Sequence, residues 1–171
     1  MADQLRPQDL AVALQLAYQP DERYERLAYV LGLSLSATHR AVQRLRQAGL
    51  LLPDKRKVNR RALLEFLRHG ARYAFPAVRG PEVRGVPTAW SVPELMAELS
   101  SSASSTSVVW PDPRGTVRGE SITPLYGGAV ATVQRDERLY RALALVDALR
   151  VGQARERQIA GELLEKELAP A

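Results

Sequence analysis

Ser36, His39, Arg40 and Gln43 fall within two helical turns of one another, and each side chain ends in a group that donates or accepts hydrogen bonds. Spaced three and four residues apart, they share a face if the segment is helical. Arg can bridge O6 and N7 of guanine, Gln can pair with N6 and N7 of adenine, and His or Ser can read either kind of edge. The set suits recognition of base edges in a major groove better than it suits bond-making chemistry. Around it, Ser34, Arg44, Arg46, Lys55, Arg56, Lys57 and Arg60 offer the hydroxyl and cationic groups that hold phosphates.

Charge points the same way. The net charge of +5 lies entirely in residues 1–70, which hold 12 Lys/Arg against 7 Asp/Glu, whereas residues 71–171 hold 12 of each. Between Leu35 and Arg61 the cations Arg40, Arg44, Arg46, Lys55, Arg56, Lys57, Arg60 and Arg61 face only Asp54. A one-sided cationic patch of this size implies a polyanionic partner, and nucleic acid is the obvious one.

These residues need a scaffold, and Tyr24 to Leu51 supplies its pattern. Leu27, Val30 and Leu31 recur at helical spacing until Gly32, which can take the left-handed conformation that ends a helix sharply. Ser34 is placed to cap a second helix, whose apolar stripe is Thr38, Ala41, Val42 and Leu45. Helix, glycine turn, and a helix with a polar, cationic outer face make a helix-turn-helix arrangement. Leu50 to Leu52 begin a short strand, Pro53-Asp54 turn, and Lys55 to Val58 return, predicting a compact basic hairpin.

Tyr24–Leu51 closely resembles the winged helix-turn-helix regulators of bacteria and archaea, the MarR-type and related families. The resemblance rests on Arg26-Leu27-Ala28, Leu31-Gly32-Leu33-Ser34, Arg40-Ala41-Val42, Leu45 and Ala48-Gly49-Leu50, and it covers roughly the first seventy residues. It implies a DNA-binding domain but no particular target. Leu35 departs from the pattern, since the family commonly puts a polar or charged residue there. An exposed leucine at that position could touch a thymine methyl or pack on a neighbouring element. Tyr140 to Arg157 more loosely resembles a companion region of some prokaryotic winged-helix proteins, which implies no activity.

Along the rest of the chain, Pro7 suits the first position of a helix reaching Tyr18, and the next helix is expected from about Glu22. Asn59 caps a helix to about His69. Pro and Gly crowd residues 74–90, which read as irregular or as short extended pieces. Ser91 to Glu94 has the form of a capping box, Ser100 to Ser107 that of a flexible loop or linker, and Val108–Trp110 and Gly115–Gly119 that of short strands. Asp136 caps a helix that Gly152 interrupts, and an amphipathic helix follows to Leu168. The expected fold is mainly α with a small β wing: a winged helix-turn-helix over residues 1–72, an irregular connecting region over 73–128 with a short helix and strands, and C-terminal helices over 129–171. Residues Leu139 to Leu149 are apolar on too many sides for a lone surface helix. Leu139, Tyr140, Leu143, Val146, Leu149, Ile159 and Leu163 are therefore expected to form a homodimer or partner interface, packing against the chain's own second half being the alternative.

Other chemistries find no constellation. Gly127-Gly128 lacks the lysine of a phosphate loop, the serines of 100–107 lack a nucleophile elbow, and neither His39 nor His69 has a second ligand at metal-binding spacing. No catalytic residue, metal or cofactor is expected. Trp90 and Trp110 read as core. The absence of cysteine, of a secretory signal pattern and of a bilayer-length apolar run is consistent with a cytoplasmic protein. The expected function is a prokaryotic transcription regulator, in its simplest form a dimeric repressor. The alternative is an antitoxin-like or adaptor protein whose C-terminal half binds a partner while the winged helix autoregulates its operon.

Overall fold

Helix α1 (Pro7–Tyr18) is mostly apolar, and the fold encloses it: Leu10, Ala11, Val12, Ala13, Leu14 and Leu16 are all inaccessible to solvent. A computed structural model describes residues 3–99 and 106–170. Helices α2 (Tyr24–Leu31) and α3 (Leu35–Gln47) pack on α1, joined by Gly32 at φ 65°, a left-handed conformation that a Cβ would strain. Ser34 caps α3, its Oγ accepting the Ala37 N–H at 3.0 Å. Residues 50–59 form a minimal hairpin, with one bridge between Leu51 and Val58 and a Leu52 N–H to Lys57 C=O bond of 2.9 Å. Asn59 caps α4 (Arg60–His69), accepting from Ala62 N at 3.1 Å. A single turn, α5 (Ala71–Ala74), follows.

The region read as irregular contains a nine-residue strand, β1 (Arg79–Pro87). It pairs antiparallel with both β2 (Val108–Pro111) and β3 (Val117–Ile122), which run parallel to each other and close a three-stranded barrel. Closure brings backbones so near that a Cβ on Gly85 would lie 2.1 Å from the Trp110 carbonyl oxygen. The glycines that made this stretch look like loop are thus what let its strands meet. Between β1 and β2 lies α6 (Pro93–Leu99). Ser91 does not cap it, because its Oγ accepts the Val108 N–H at 2.8 Å. The proposed serine-rich loop lies outside the described residues except for Thr106 and Ser107.

After a short helix α7 (Thr132–Arg135), α8 (Glu137–Val151) is the second enclosed helix, capped by Asp136 and buried at every position from Ala142 to Leu149. It packs on α1, α5, α7 and α9 (Ala154–Leu168). This corrects the expected interface: Leu139, Leu143, Val146 and Leu149 are at most 2 % exposed, and Leu163 is 8 % exposed. Tyr140 and Ile159 are partly buried against the same core. Their apolar surface is consumed inside the chain, the alternative the sequence left open. Buried apolar residues from Leu10 to Leu168 make one cluster, so segments 1–72, 73–128 and 129–171 share a core.

Asp147 on α8 fastens that core to the barrel. Its Oδ2 accepts from Thr88 Oγ1 and Trp110 Nε1, each at 2.7 Å, and its Oδ1 from Arg150 Nη1 at 2.8 Å. Burial pushes its carboxyl pKa up, and the three donors oppose that.

Candidate nucleic-acid interface

The outer face of α3 is open. Ser36, His39, Arg40 and Gln43 are all exposed, standing on a helix anchored underneath by Thr38, Ala41, Val42 and Leu45, which are at most 1 % exposed. The cap at Ser34 fixes where that helix starts, so the four side chains project from a defined frame. The side chains of Arg40, Arg46, Lys55 and Lys57 are exposed and form no ion pair among the described residues.

Two expected phosphate contacts belong elsewhere. Arg44 is 3 % exposed and grips Asp9 of α1 with both arms, Nε to Oδ2 and Nη2 to Oδ1, each at 2.8 Å. A further bond of 3.3 Å reaches Asp3. Hydrogen bonding to Asp9 raises the Arg44 pKa, and desolvation opposes it. At position 44 the helix has turned inward, so this arginine locks α3 to α1. Arg60 is half-buried and donates to the carbonyls of Ala17 at 2.6 Å and Leu168 at 2.8 Å, joining the C-terminal ends of α1 and α9.

Arg56 is not at a free hairpin tip either. Its guanidinium lies 4.6 Å from the Tyr24 ring centroid, and its Nη1 is buried without a hydrogen-bond partner among the described residues. The Tyr24 ring also stacks on His39, with centroids 3.8 Å apart and planes 20° from parallel. Hairpin, α2 and α3 therefore meet on one tyrosine. No family model, curated protein or solved structure matches the chain.

The turn between α2 and α3 is held from behind by the C-terminal half. Tyr126 Oη donates to the Leu31 carbonyl at 2.8 Å, and Arg135 Nη1 donates to the Tyr29 carbonyl at 2.5 Å while lying 4.5 Å from the Tyr29 ring centroid. Gly128 sits against the same turn, where a Cβ would come within 2.3 Å of the Leu31 oxygen. Tyr126 satisfies the Leu31 carbonyl at the helix end, and Arg135 adds a second donor to the Tyr29 carbonyl, which also accepts the Gly32 N–H at 3.2 Å. Burial pushes the Tyr126 phenol pKa up, the nearby Arg135 opposing it.

Sequence reasoning missed Tyr24, Tyr126, Gly128, Arg135 and Asp9. Asp9 carried a signal, since an acidic residue inside an otherwise apolar helix needs a buried cation. The others carried none, because their partners are distant in sequence. Among the described residues no group of three or more His, Cys, Asp or Glu is arranged to hold a metal ion, and no helix is long and apolar enough to cross a membrane.

Proposed function

We propose that this chain is a sequence-specific, double-stranded-DNA-binding transcription regulator acting in the cytoplasm as a winged helix-turn-helix protein. The observation that carries the proposal is the open face of α3, where Ser36, His39, Arg40 and Gln43 are exposed on a capped helix bordered by unpaired cations. Arg40 and Gln43 are the strongest base readers, because each can make a bidentate contact worth about 1–3 kcal/mol of discrimination. Arg46, Lys55 and Lys57 hold phosphates on either side, and Ser34 stays at the helix start as cap. Arg56, braced on Tyr24, supports the same face from beside α2 rather than holding a phosphate through its buried nitrogen. Occlusion of a promoter is the simplest consequence of binding.

Leu139, Leu143, Val146, Leu149 and Leu163 are taken up inside the chain, so a second copy or an antitoxin-like partner would meet the chain through other residues. Selection of bound duplexes from a random pool tests the proposal. Arg40→Ala should then relax sequence preference at one position, whereas Lys57→Ala should weaken all duplexes alike and lower the salt slope by about one. A pool with no enriched sequence, or an Arg40→Ala protein with unchanged preference, would remove α3 as the reading element.

A further inference from the structure

Leu35 is 44 % exposed at the first position of α3, whereas Leu10, Leu14, Leu16, Leu27, Leu31 and Leu45 in the same three-helix unit are fully buried. Its exposure has a direction. Residues four apart lie one above the other on a helix, so Leu35, His39 and Gln43 form a single ridge. The leucine is thus the N-terminal end of the row that carries two of the proposed base readers, and His39 in that row is pinned by Tyr24. The first turn of α3 holds no charged side chain, its residues being Leu35, Ser36, Ala37 and Thr38. An apolar side chain in that position meets one apolar handle on the major-groove edge of a base pair, a methyl group at pyrimidine C5.

We infer that Leu35 reads a pyrimidine C5-methyl group, and so makes a methylated pyrimidine part of the target. The inference rests on the proposed DNA-reading role of α3 and adds a specificity determinant that is not a hydrogen bond. The rise from Leu35 to Arg40 is about 7.5 Å at 1.5 Å per residue. At about 3.4 Å per base step, the methyl lies about two base pairs from the base that Arg40 reads. Thymine and 5-methylcytosine present the same methyl, so the leucine responds to either.

The experiment uses the full chain and the tightest duplex selected from a random pool. Each thymine is replaced in turn by deoxyuridine, which differs only by the methyl, and each cytosine by 5-methylcytosine. Binding is measured for the wild type and Leu35→Ala, with thermal unfolding to show that the exposed site tolerates the change. Removing the methyl at one position should weaken wild-type binding about three- to fivefold. Leu35→Ala should lose the same factor on the thymine duplex and be indifferent to the methyl. If that position is occupied by cytosine, 5-methylcytosine should tighten wild-type binding only. Uniform tolerance of deoxyuridine and 5-methylcytosine overturns the inference, as does a methyl effect that persists in Leu35→Ala. Failure to enrich any duplex overturns the DNA-reading role itself and is distinguishable because it precedes every methyl substitution.

Discussion

Arginines four residues apart on α3 have opposite fates. Arg40 projects into solvent, while Arg44 is consumed by Asp9, and in the linear sequence both read as groove cations. Removing one partner of a buried pair leaves an uncompensated charge, so Arg44→Ala should destabilise the protein by about 3–5 kcal/mol. Removing both charges, in Asp9→Asn with Arg44→Met, should cost less. Chemical denaturation of the three proteins checks this. An Arg44→Ala protein of normal stability but weakened duplex binding would return Arg44 to the phosphates.

At the scale of elements, the turn between α2 and α3 is braced from outside the pair. It is buttressed by Tyr126, Gly128 and Arg135, contributed by a segment that follows the barrel. Gly128→Ala would push a methyl into the Leu31 carbonyl, an overpacking that costs about 1–3 kcal/mol. Because the carbonyl belongs to the end of α2, duplex affinity should fall as well if α3 reads DNA as proposed, even though residue 128 is remote from α3 in sequence. Thermal unfolding and duplex titration of that variant read the two effects separately, and unchanged affinity would show that the turn does not depend on this contact. Strand β1 was illegible for a related reason: Gly80, Pro81, Gly85 and Pro87 break the alternation of a strand, yet the close approach in the barrel demands glycine at 85.

For the whole molecule, α1 and α8 are the paired enclosed helices, and each needs the other's half of the chain as cover. A fragment of residues 1–72 should therefore lack cooperative unfolding, since it exposes the side of α1 that α8 covers, and a thermal melt followed by circular dichroism checks it. Alkali should act on the same shared core. Burial raises the pKa of Tyr18 and Tyr126 and pushes Tyr140 up to about 12. Unfolded tyrosines titrate near about 10, so above that pH the unfolded chain releases protons that the folded one retains. The tyrosine contribution to stability should be complete below about pH 9 and decline from about pH 10 through 12, read as a falling denaturant midpoint.

Local chemistry was enough to place α1, α3, α4, α8 and the caps Ser34, Asn59 and Asp136, because helix periodicity and capping depend on residues within a turn of each other. It was also enough to mark Ser36, His39, Arg40 and Gln43 as an outward row. Tertiary structure alone decided which cations stay free, what covers α8, and what holds the α2–α3 turn. Those outcomes depend on groups far apart in the chain, Arg44 with Asp9, α8 with α1, and Tyr126 with Leu31, and nothing in the spacing of neighbours encodes such distances.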